Sequence, residues 1–222
     1  MSLATIEQTK SPDLEWHALN WGKLEYRVDR LQQRIFRATQ DKEWSKVKSL
    51  QKLLVRSRTA RLVAIRRVTQ LNSGRLTPGI DGELYVTAED RVRLLEELDL
   101  TCYKPQPVKR VYIEKPSGGQ RPLGIPVMVD RVIQMIVKMA LEPSWEAQFE
   151  PNSYGFRPGR RCQDAIQQIR VSARRRWDSE NLPWVLDADL SGCFDNISHG
   201  ELLNKCSVFK PLIQGWLKAG MV

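Results

Sequence analysis

The segment that most constrains this chain lies near its C-terminal end, where apolar residues lead two carboxylates into a Ser-Gly turn. It reads Val185-Leu186-Asp187-Ala188-Asp189-Leu190-Ser191-Gly192-Cys193-Phe194-Asp195-Asn196-Ile197. The apolar approach predicts a strand, on which Asp187 and Asp189 would point to the same face. Two such carboxylates at a strand end suit a hard cation such as Mg²⁺. The alternative is a surface strand ending in a turn, because Asp and Asn are common turn residues.

The positive charge of the chain is concentrated in its first third. The chain has 222 residues, a formal net charge of +9 and 41% hydrophobic residues, which is enough for one large domain or two small ones. Residues 1–70 hold 15 Lys and Arg against 7 Asp and Glu, whereas the remaining residues hold 20 against 19. Such a basic segment favours a polyanion, and contacts to phosphates supply sequence-independent binding of nucleic acids. A solvated basic helix face is the alternative.

Cysteine spacing and hydropathy indicate the environment of the protein. The four cysteines are scattered, none forms a Cys-x-x-Cys pair, and the only histidines are His17 and His199. We therefore expect intracellular thiols rather than disulfides or a zinc site. No apolar run approaches the length of a membrane span, and the N-terminus lacks the apolar core of a signal peptide. These features predict a soluble, cytoplasmic protein.

Apolar residues recur at helical spacing through the N-terminal third. Residues 1–15 are polar and show no periodicity, so they predict a loose arm. One helix is predicted from Trp21, a second from about Trp44 after a break at residues 40–43, and residues 62–68 continue helically. The apolar stripes comprise Leu24, Val28, Leu31 and Ile35, then Val47, Leu50 and Leu54, then Leu62, Ile65 and Val68. Because basic residues cover the other faces, the sequence predicts a basic helical layer.

The remaining sequence predicts a mixture of helices and one β-hairpin. Residues 72–82 are dense in turn formers and predict a loop. Alternation and β-formers predict a strand over residues 108–115, a turn over residues 117–120 and a returning strand over residues 121–126. Helices are predicted over residues 87–98 with Thr87 as N-cap, over residues 130–141 with Pro143 as the stop, over residues 164–175, and from about His199.

Two cations flank the Gly118-Gly119 turn of the predicted hairpin. Lys115 and Arg121 are six residues apart, so folding at the turn would bring them near each other. A Lys point charge beside an Arg fork can hold a triphosphate, because phosphoryl transfer depends on charge and geometry. The alternative is a surface hairpin with solvated charges, which is the commoner fate of Lys and Arg.

Five ordered sequence blocks closely resemble the group II intron reverse transcriptase and maturase family. They span about residues 70 to 200: Thr77-Pro78-Gly79-Ile80-Asp81-Gly82; Tyr103 to Ile113; Arg121-Pro122-Leu123-Gly124-Ile125-Pro126 with Asp130-Arg131-Val132-Ile133-Gln134; Ser153 to Arg160; and the carboxylate segment. The carboxylate segment resembles the first carboxylate motif of reverse transcriptases. The basic helices resemble the N-terminal extension of the family, where intron RNA and template are bound.

This resemblance implies a role for each matched residue. Asp189 would be the catalytic carboxylate that ligates Mg²⁺, with the backbone carbonyl of Leu190 as an additional ligand, and Asp187 is the competing candidate. Lys115 and Arg121 would contact the incoming deoxynucleoside triphosphate (dNTP), and Phe194 would select deoxyribose by crowding a 2′-hydroxyl. The nucleic-acid contacts would come from basic residues of the helices and of the loop after residue 150, namely Arg27, Arg30, Arg34, Lys46, Lys52, Arg157 and Arg160. For the loop residues, the alternative is an exposed basic loop without a binding function.

The resemblance also implies an α+β fold in three parts. Residues 1–70 would form the basic helical extension, residues 71–180 the fingers with the β-hairpin, and residues 181–222 the start of a right-hand polymerase palm whose sheet carries Asp189. The implied partners are intron RNA, an RNA template with a DNA primer, and dNTP. No association with a membrane is implied. The implied location is a bacterial or organellar nucleoprotein.

One departure from the family pattern limits the expected activity. Two-metal polymerases need carboxylates from two motifs, and the second is an aromatic-x-Asp-Asp hairpin. After Asp195 the only acidic residue is Glu201, so that motif is not present. We expect the front part of a longer enzyme, which needs the C-terminal palm and thumb and is inactive alone. A non-catalytic splicing factor that binds intron RNA is the alternative function, and a retron-type enzyme is a weaker one.

Overall fold

The computed structural model describes residues 12–116, 118–177, 186–206 and 208–222. The N-terminal half is helical: α1 (Pro12–His17), α2 (Trp21–Gln40), α3 (Trp44–Arg56), α4 (Arg58–Arg66), a π-helical turn (Arg67–Leu71), a 3₁₀ turn (Ser73–Leu76) and α5 (Ala88–Glu97). A hairpin of β1 (Lys109–Glu114) and β2 (Gln120–Ile125) follows. The chain continues through α6 (Met128–Glu146), α7 (Cys162–Trp177), α8 (His199–Lys205) and α9 (Lys210–Lys218). The predicted mixture of helices and one hairpin is confirmed.

The core forms where α2, α3 and α4 pack with α6. Each helix contributes fully buried aliphatic side chains, among them Ile35, Leu54, Ile65 and Ile136. Within each helix the buried residues recur at spacings of three and four, so they form one stripe and the apolar faces meet. Arg61 and Arg66 on α4 are half-buried and donate to Leu98 and Glu25. Burial of this stripe stabilises the helices, since isolated helices of this length are marginal in water.

Local capping explains where α5 begins. The Thr87 side chain accepts a hydrogen bond from the Asp90 backbone N–H at 3.1 Å, and the Asp90 carboxylate accepts one from the Thr87 N–H at 3.0 Å. This reciprocal pair is a capping box, which satisfies backbone donors that a helix start leaves free. The predicted N-cap at Thr87 is therefore confirmed.

The prediction of a loose arm was wrong from Pro12 onward, because α1 is helical and Trp16 is only 2% exposed. The Trp16 ring lies 4.9 Å from the Trp21 ring, and the guanidinium of Arg91 lies 5.8 Å from the Trp16 ring centroid. A large aromatic side chain buries enough surface to hold a short helix that local propensity does not specify. Residues 1–11 of the predicted arm lie outside the described residues.

The prediction that Pro143 ends the sixth helix was also wrong, because α6 continues through Pro143 to Glu146. Proline lacks the N–H that would bond to the carbonyl four residues earlier, which belongs to Met139. The side chain of Gln32 on α2 donates to that carbonyl at 2.8 Å. A tertiary hydrogen bond thus compensates for the missing helical one, and the helix persists.

The described strands form a two-stranded antiparallel sheet, with Ile113 opposite Arg121 and Lys109 opposite Ile125. A parallel bridge joins Val108 to Met221 on the other edge of the hairpin. Residues 186–190 form no strand, so the predicted palm strand carrying Asp189 is corrected over these residues; Val185 lies outside the described residues. A strand needs a hydrogen-bonded neighbour, and no strand pairs with residues 186–190 in the described structure.

Two further observations concern thiols and membranes. Cys102, Cys162 and Cys193 are exposed free thiols, and Cys206 is a buried one. Burial raises the pKa of the Cys206 thiol. Among the described helices, none combines the length and apolarity required to cross a membrane.

Candidate nucleotide and nucleic-acid site

Lys115 and Arg121 lie on either side of the turn at the tip of the hairpin. The Lys115 N–H donates to the Gly119 carbonyl at 2.9 Å, and Arg121 lies opposite Ile113. β1 ends at Glu114; continuing its alternation of faces by one residue would put Lys115 on the face of Ile113, diagonal to Arg121. Both side chains are exposed. Neither forms an ion pair with the rest of the described chain, so both cations are available to an anion.

The turn that brings these cations together depends on two glycines. The Gly118 N–H donates to the Lys115 carbonyl at 3.0 Å and closes the turn. Gly118 and Gly119 have φ angles of 84° and 83°, a conformation that side-chain-bearing residues rarely adopt. Part of the turn, Ser117, lies outside the described residues.

From residue 186 onward, the carboxylate segment is exposed, without regular secondary structure up to residue 190 and with turns over residues 191–196. Asp187 and Asp189 are both exposed, and one oxygen of Asp189 accepts the Leu190 N–H at 2.9 Å. The Asn196 side chain donates to the Gly192 carbonyl at 2.9 Å and holds the turn after Asp189. The Phe194 side chain is 82% exposed. The segment therefore presents a carboxylate and an aromatic ring to solvent.

Two groups of this segment carry oxygen atoms of the type that binds Mg²⁺. The Asp189 carboxylate and the Leu190 carbonyl offer the hard oxygen ligands that Mg²⁺ prefers. In the described segments, no group of three or more His, Cys, Asp or Glu side chains is placed to hold a metal. The assignment of Asp189 and Leu190 as Mg²⁺ ligands therefore stays a prediction.

Three of the predicted RNA-binding residues line one groove. Arg27, Arg30 and Arg34 on α2 face Ser57 and Thr59 at the start of α4, around a space of about 360 Å³. Arg30 also lies over the Tyr26 ring, 6.0 Å from its centroid. We call this the arginine groove. It combines guanidinium donors with two hydroxyl groups, which suits phosphate oxygens.

The two predicted lysines lie on the neighbouring helix α3. Lys46 and Lys52 are both exposed. The Lys46 ammonium is 2.6 Å from the Glu43 carboxylate, an exposed pair of the kind that contributes little to stability. Both lysines are therefore accessible to solvent.

Arg157 is held inside the protein rather than presented to solvent. It is 8% exposed, and its guanidinium donates to the Glu146 carboxylate and to the carbonyls of Glu150 and Ser153, at 2.6 Å and 2.8 Å for the two carbonyls. The hydrogen bond from Arg157 keeps the pKa of the Glu146 carboxyl below its usual value. A guanidinium that is buried and hydrogen-bonded in this way stabilises the loop over residues 150–160. Arg157 is therefore not included in the proposed RNA interface.

Arg160 is only partly exposed. Its guanidinium donates to the Pro151 carbonyl and lies 5.3 Å from the centroid of the Tyr154 ring. These contacts fix the side chain against its own loop. It keeps some solvent access and remains a candidate for a phosphate contact.

Sequence reasoning missed two charged residues that organise the approach to the hairpin. Asp130, in the first turn of α6, is 2% exposed and accepts hydrogen bonds from the Tyr103 hydroxyl at 2.6 Å and the Gln106 N–H at 3.1 Å. Arg131 donates to the carbonyls of Gly74 and Thr77 at 3.0 Å and 2.6 Å. The pair binds the loop before α5 and the segment before β1. The available signal in the sequence was the charged pair Asp130-Arg131 at the start of an otherwise apolar helix.

Comparison with known proteins identifies the class to which this arrangement belongs. A family model described as the N-terminal domain of reverse transcriptase matches residues 16–98. A second, described as reverse transcriptase (RNA-dependent DNA polymerase), matches residues 113–221. The chain is thus similar to reverse transcriptases over both the helical layer and the segment containing the hairpin and Asp189.

Individual relatives narrow this class. The chain is 37% identical over 158 residues to the group II intron-encoded protein LtrA of Lactococcus lactis subsp. cremoris, a match covering 67% of this chain and 25% of that protein. It is 36% identical over 167 residues to protein YkfC of Escherichia coli, covering 70% and 44%. It is 33% identical over 194 residues to maturase-like protein 1 of Euglena gracilis, covering 83% and 41%. The chain belongs to the group II intron reverse transcriptase and maturase family. It spans less than half the length of these relatives.

Proposed function

We propose that the chain is the N-terminal portion of an RNA-directed DNA polymerase encoded by a group II intron. It would supply a nucleotide-binding hairpin, an RNA-binding surface and one metal-binding carboxylate. The observation that carries this proposal is the hairpin turn between Lys115 and Arg121, closed by the hydrogen bond from the Lys115 N–H to the Gly119 carbonyl, in a chain that also has Phe194 five residues after Asp189. RNA binding alone does not require this set of residues.

Lys115 and Arg121 would bind the triphosphate of the incoming nucleotide. Arg121 offers a planar fork of donors for two phosphate oxygens, and Lys115 offers a compact charge that can follow a third. Their positions on the two sides of one short turn support contact with one phosphate chain rather than with two separate ligands. Such a clamp would orient the α-phosphate for attack by the primer hydroxyl.

Asp189 and the Leu190 carbonyl would hold Mg²⁺, the cation that reverse transcriptases generally use. When bound, Mg²⁺ neutralises phosphate charge and helps orient the attacking and leaving oxygens. Phe194 would lie against the sugar and exclude a 2′-hydroxyl, and its exposed ring supports such a contact. Asp187 shares the exposed segment but has no aromatic residue five positions later, because that position is Gly192.

The arginine groove and the lysines of α3 would bind intron RNA and the template. The groove offers three guanidinium groups within one space, and most of the net charge of the chain lies in the same helical layer. Contacts of this kind are sequence-independent and sensitive to salt. They would hold the RNA while the hairpin binds the nucleotide.

We propose that these 222 residues do not extend a primer by themselves. Two-metal catalysis needs further carboxylates, and the sequence contains no aromatic-x-Asp-Asp motif. Palm and thumb segments like those of longer family members would therefore be the protein partner. The second candidate function is a splicing factor that binds intron RNA without polymerising, and the basic groove supports it independently of Asp189.

RNA-templated primer extension tests the proposal. The chain would be assayed with Mg²⁺ and dNTPs, alone and with the palm and thumb segment of a group II intron reverse transcriptase added as a second polypeptide. Extension that requires both polypeptides supports the polymerase. If no extension occurs but intron RNA binds tightly and with strong salt dependence, the splicing-factor function replaces it. Primer extension by this chain alone would contradict the proposal that it lacks carboxylates required for catalysis.

A further inference from the structure

Three polar side chains from distant parts of the sequence form one chain of hydrogen bonds beneath the hairpin. The Trp216 indole N–H on α9 donates to the Tyr103 hydroxyl at 2.7 Å. That hydroxyl donates to Asp130 on α6 at 2.6 Å. We call this the Asp130–Tyr103–Trp216 chain. Hydrogen bonds in series polarise one another, and the carboxylate at one end strengthens the Tyr103 bond.

The same elements hold the first residues of β1. The second oxygen of Asp130 accepts the Gln106 N–H at 3.1 Å, three residues before β1 begins. Gly215 on α9 lies so close to Pro105 that a Cβ at position 215 would be 2.9 Å from the proline ring. The segment between Tyr103 and β1 is therefore fixed by α6 on one side and by α9 on the other.

The residues that follow α9 complete this support from the edge of the sheet. The Val108 N–H donates to the Gly220 carbonyl at 3.0 Å, and the Val222 N–H donates to the Val108 carbonyl at 3.0 Å. The Arg110 N–H donates to the Val222 carbonyl at 2.7 Å. The base of β1 thus has β2 along one edge and residues 220–222 along the other.

Packing does not fix the outer part of the hairpin in the same way. Tyr112, Ile113 and Leu123 are all exposed, with Tyr112 at 61%. A two-stranded hairpin is marginally stable without further support. The direction in which its tip points is therefore determined at its base, where the Asp130–Tyr103–Trp216 chain and residues 220–222 hold it.

We propose that Tyr103 and Trp216 are positioning residues for nucleotide binding. By fixing the base of the hairpin, they keep Lys115 and Arg121 where both can contact one triphosphate. This role rests on the proposed function of the two cations. Neither Tyr103 nor Trp216 is required to touch the nucleotide.

The test compares Tyr103→Phe and Trp216→Phe with the original chain. Each variant keeps an aromatic ring. Tyr103→Phe removes both hydrogen bonds of the chain, and Trp216→Phe removes only the bond from the indole N–H to Tyr103. Tyr85→Phe and Trp44→Phe are the controls, because the Tyr85 hydroxyl donates to Glu83 and Trp44 is exposed on α3, so neither belongs to the Asp130–Tyr103–Trp216 chain. Circular dichroism would establish a temperature at which all five proteins are folded, and all measurements would be made there.

Two quantities are measured on each folded protein. The first is amide hydrogen exchange at Gln106, Val108, Arg110 and Val222, which should be about tenfold faster in the two test variants, since a buried hydrogen bond is lost. The second is the dissociation constant for dATP in Mg²⁺, which should rise about fivefold, while affinity for structured RNA stays the same. If the two residues had a purely structural role, amide exchange would become faster, but the affinity for dATP would not fall selectively relative to the affinity for RNA. The control variants should change neither quantity.

The outcomes separate this inference from the function on which it rests. Unchanged exchange in Tyr103→Phe and Trp216→Phe would overturn it, as would faster exchange with unchanged dATP affinity. Faster exchange together with selectively weaker dATP binding supports it. If the original chain does not bind dATP in Mg²⁺, the proposed nucleotide site fails, and the positioning role fails with it. If the original chain binds dATP and the variants bind it equally well, only the positioning role fails.

Discussion

Gly79 lies against the backbone that leads into α6, and this contact leaves no room for a side chain. A Cβ at position 79 would be 2.6 Å from Val127 Cα and 2.7 Å from Val127 N. Because backbone atoms cannot move aside cheaply, Gly79→Ala should lower the free energy of unfolding by about 1–3 kcal/mol. Urea unfolding followed by circular dichroism measures this change.

Gly155→Ala is the matched control for that substitution. A Cβ at position 155 would meet no heavy atom within 4 Å. Its unfolding free energy should stay within about 0.5 kcal/mol of the original value. Equal effects of the two substitutions would contradict the close contact between Gly79 and Val127.

The Glu146–Arg157 pair predicts how stability depends on pH. The hydrogen bond from Arg157 holds the pKa of Glu146 below its ordinary value of 4.5. A carboxylate whose folded pKa lies below its unfolded pKa stabilises the fold above the unfolded value, and this contribution is lost as pH falls through the folded pKa. Glu146→Gln should therefore flatten the loss of unfolding free energy between pH 7 and about pH 3.5.

Glu150→Gln, which removes the same charge from an exposed side chain, should leave that pH dependence unchanged. Asp130 acts in the opposite sense, because burial raises the pKa of its carboxyl and favours the fold at low pH. Asp130 is present in both the Glu146→Gln and the Glu150→Gln variant, so the difference between their pH profiles reports on Glu146. Parallel pH profiles for Glu146→Gln and the original chain would refute the assignment.

At this scale, sequence reasoning found residues with a local signature and missed those with a distant partner. The hairpin cations flank a Gly-Gly turn, and that turn is present in the structure. Arg157 looked like an exposed basic residue, but it contacts a glutamate on α6 eleven positions earlier. The partners of Asp130 and Trp216 are likewise set by tertiary packing, which spacing along the chain does not reveal.

Among the elements, α6 offers a sharp test of how a proline is accommodated. Pro143 removes a helical hydrogen bond, and the side chain of Gln32 replaces it at the Met139 carbonyl. Gln32→Ala should cost about 1 kcal/mol when Pro143 is present and less in a Pro143→Ala background, where the helical N–H returns. The double-mutant cycle, measured by urea unfolding, should give a coupling energy of about 1 kcal/mol.

Gln33→Ala, at the exposed neighbouring position, should show no coupling to Pro143→Ala. If Gln32→Ala and Pro143→Ala were additive, the proposed compensation would be wrong. The cavity that Pro143→Ala leaves affects both backgrounds equally and cancels in the cycle.

Elements with strong local signals were predicted from the sequence. Apolar spacing predicted α2 and α3, the Thr87 cap predicted α5, and the turn residues predicted the hairpin. Short or partner-dependent elements were not predicted correctly. Helix α1 depends on burial of Trp16, and residues 186–190 lack a neighbouring strand in the described structure. Local propensity decides the first group, and tertiary context decides the second.

For the whole molecule, the uneven charge predicts how binding to RNA depends on salt. The triple substitution Arg27→Gln, Arg30→Gln and Arg34→Gln removes the cations of the arginine groove. If each contacts a phosphate, the slope of log K against log salt concentration should fall by about 2–3, since each contact contributes about 0.7–0.9. Filter binding of structured intron RNA over a salt series measures the slope.

A second triple variant controls for the loss of charge. Arg93→Gln, Lys138→Gln and Lys218→Gln remove the same charge from exposed positions outside the groove. This variant should lose little of the slope. Equal losses in both variants would mean that net charge, rather than the groove, determines binding.

The assignment of Asp189 as the metal-binding carboxylate is tested most directly by comparing it with Asp187. Both carboxylates are exposed in the same segment, but only Asp189 is followed by an aromatic residue at the fifth position. Asp189→Ala and Asp187→Ala would be assayed in Mg²⁺-dependent extension of a DNA primer on RNA, together with the added palm and thumb segment. Asp189→Ala should reduce extension more than about a hundredfold, because a lost metal ligand removes several kcal/mol of transition-state stabilisation. Asp187→Ala should stay within about tenfold of the original activity, and the reverse order, or equal activity in both variants, would contradict the assignment.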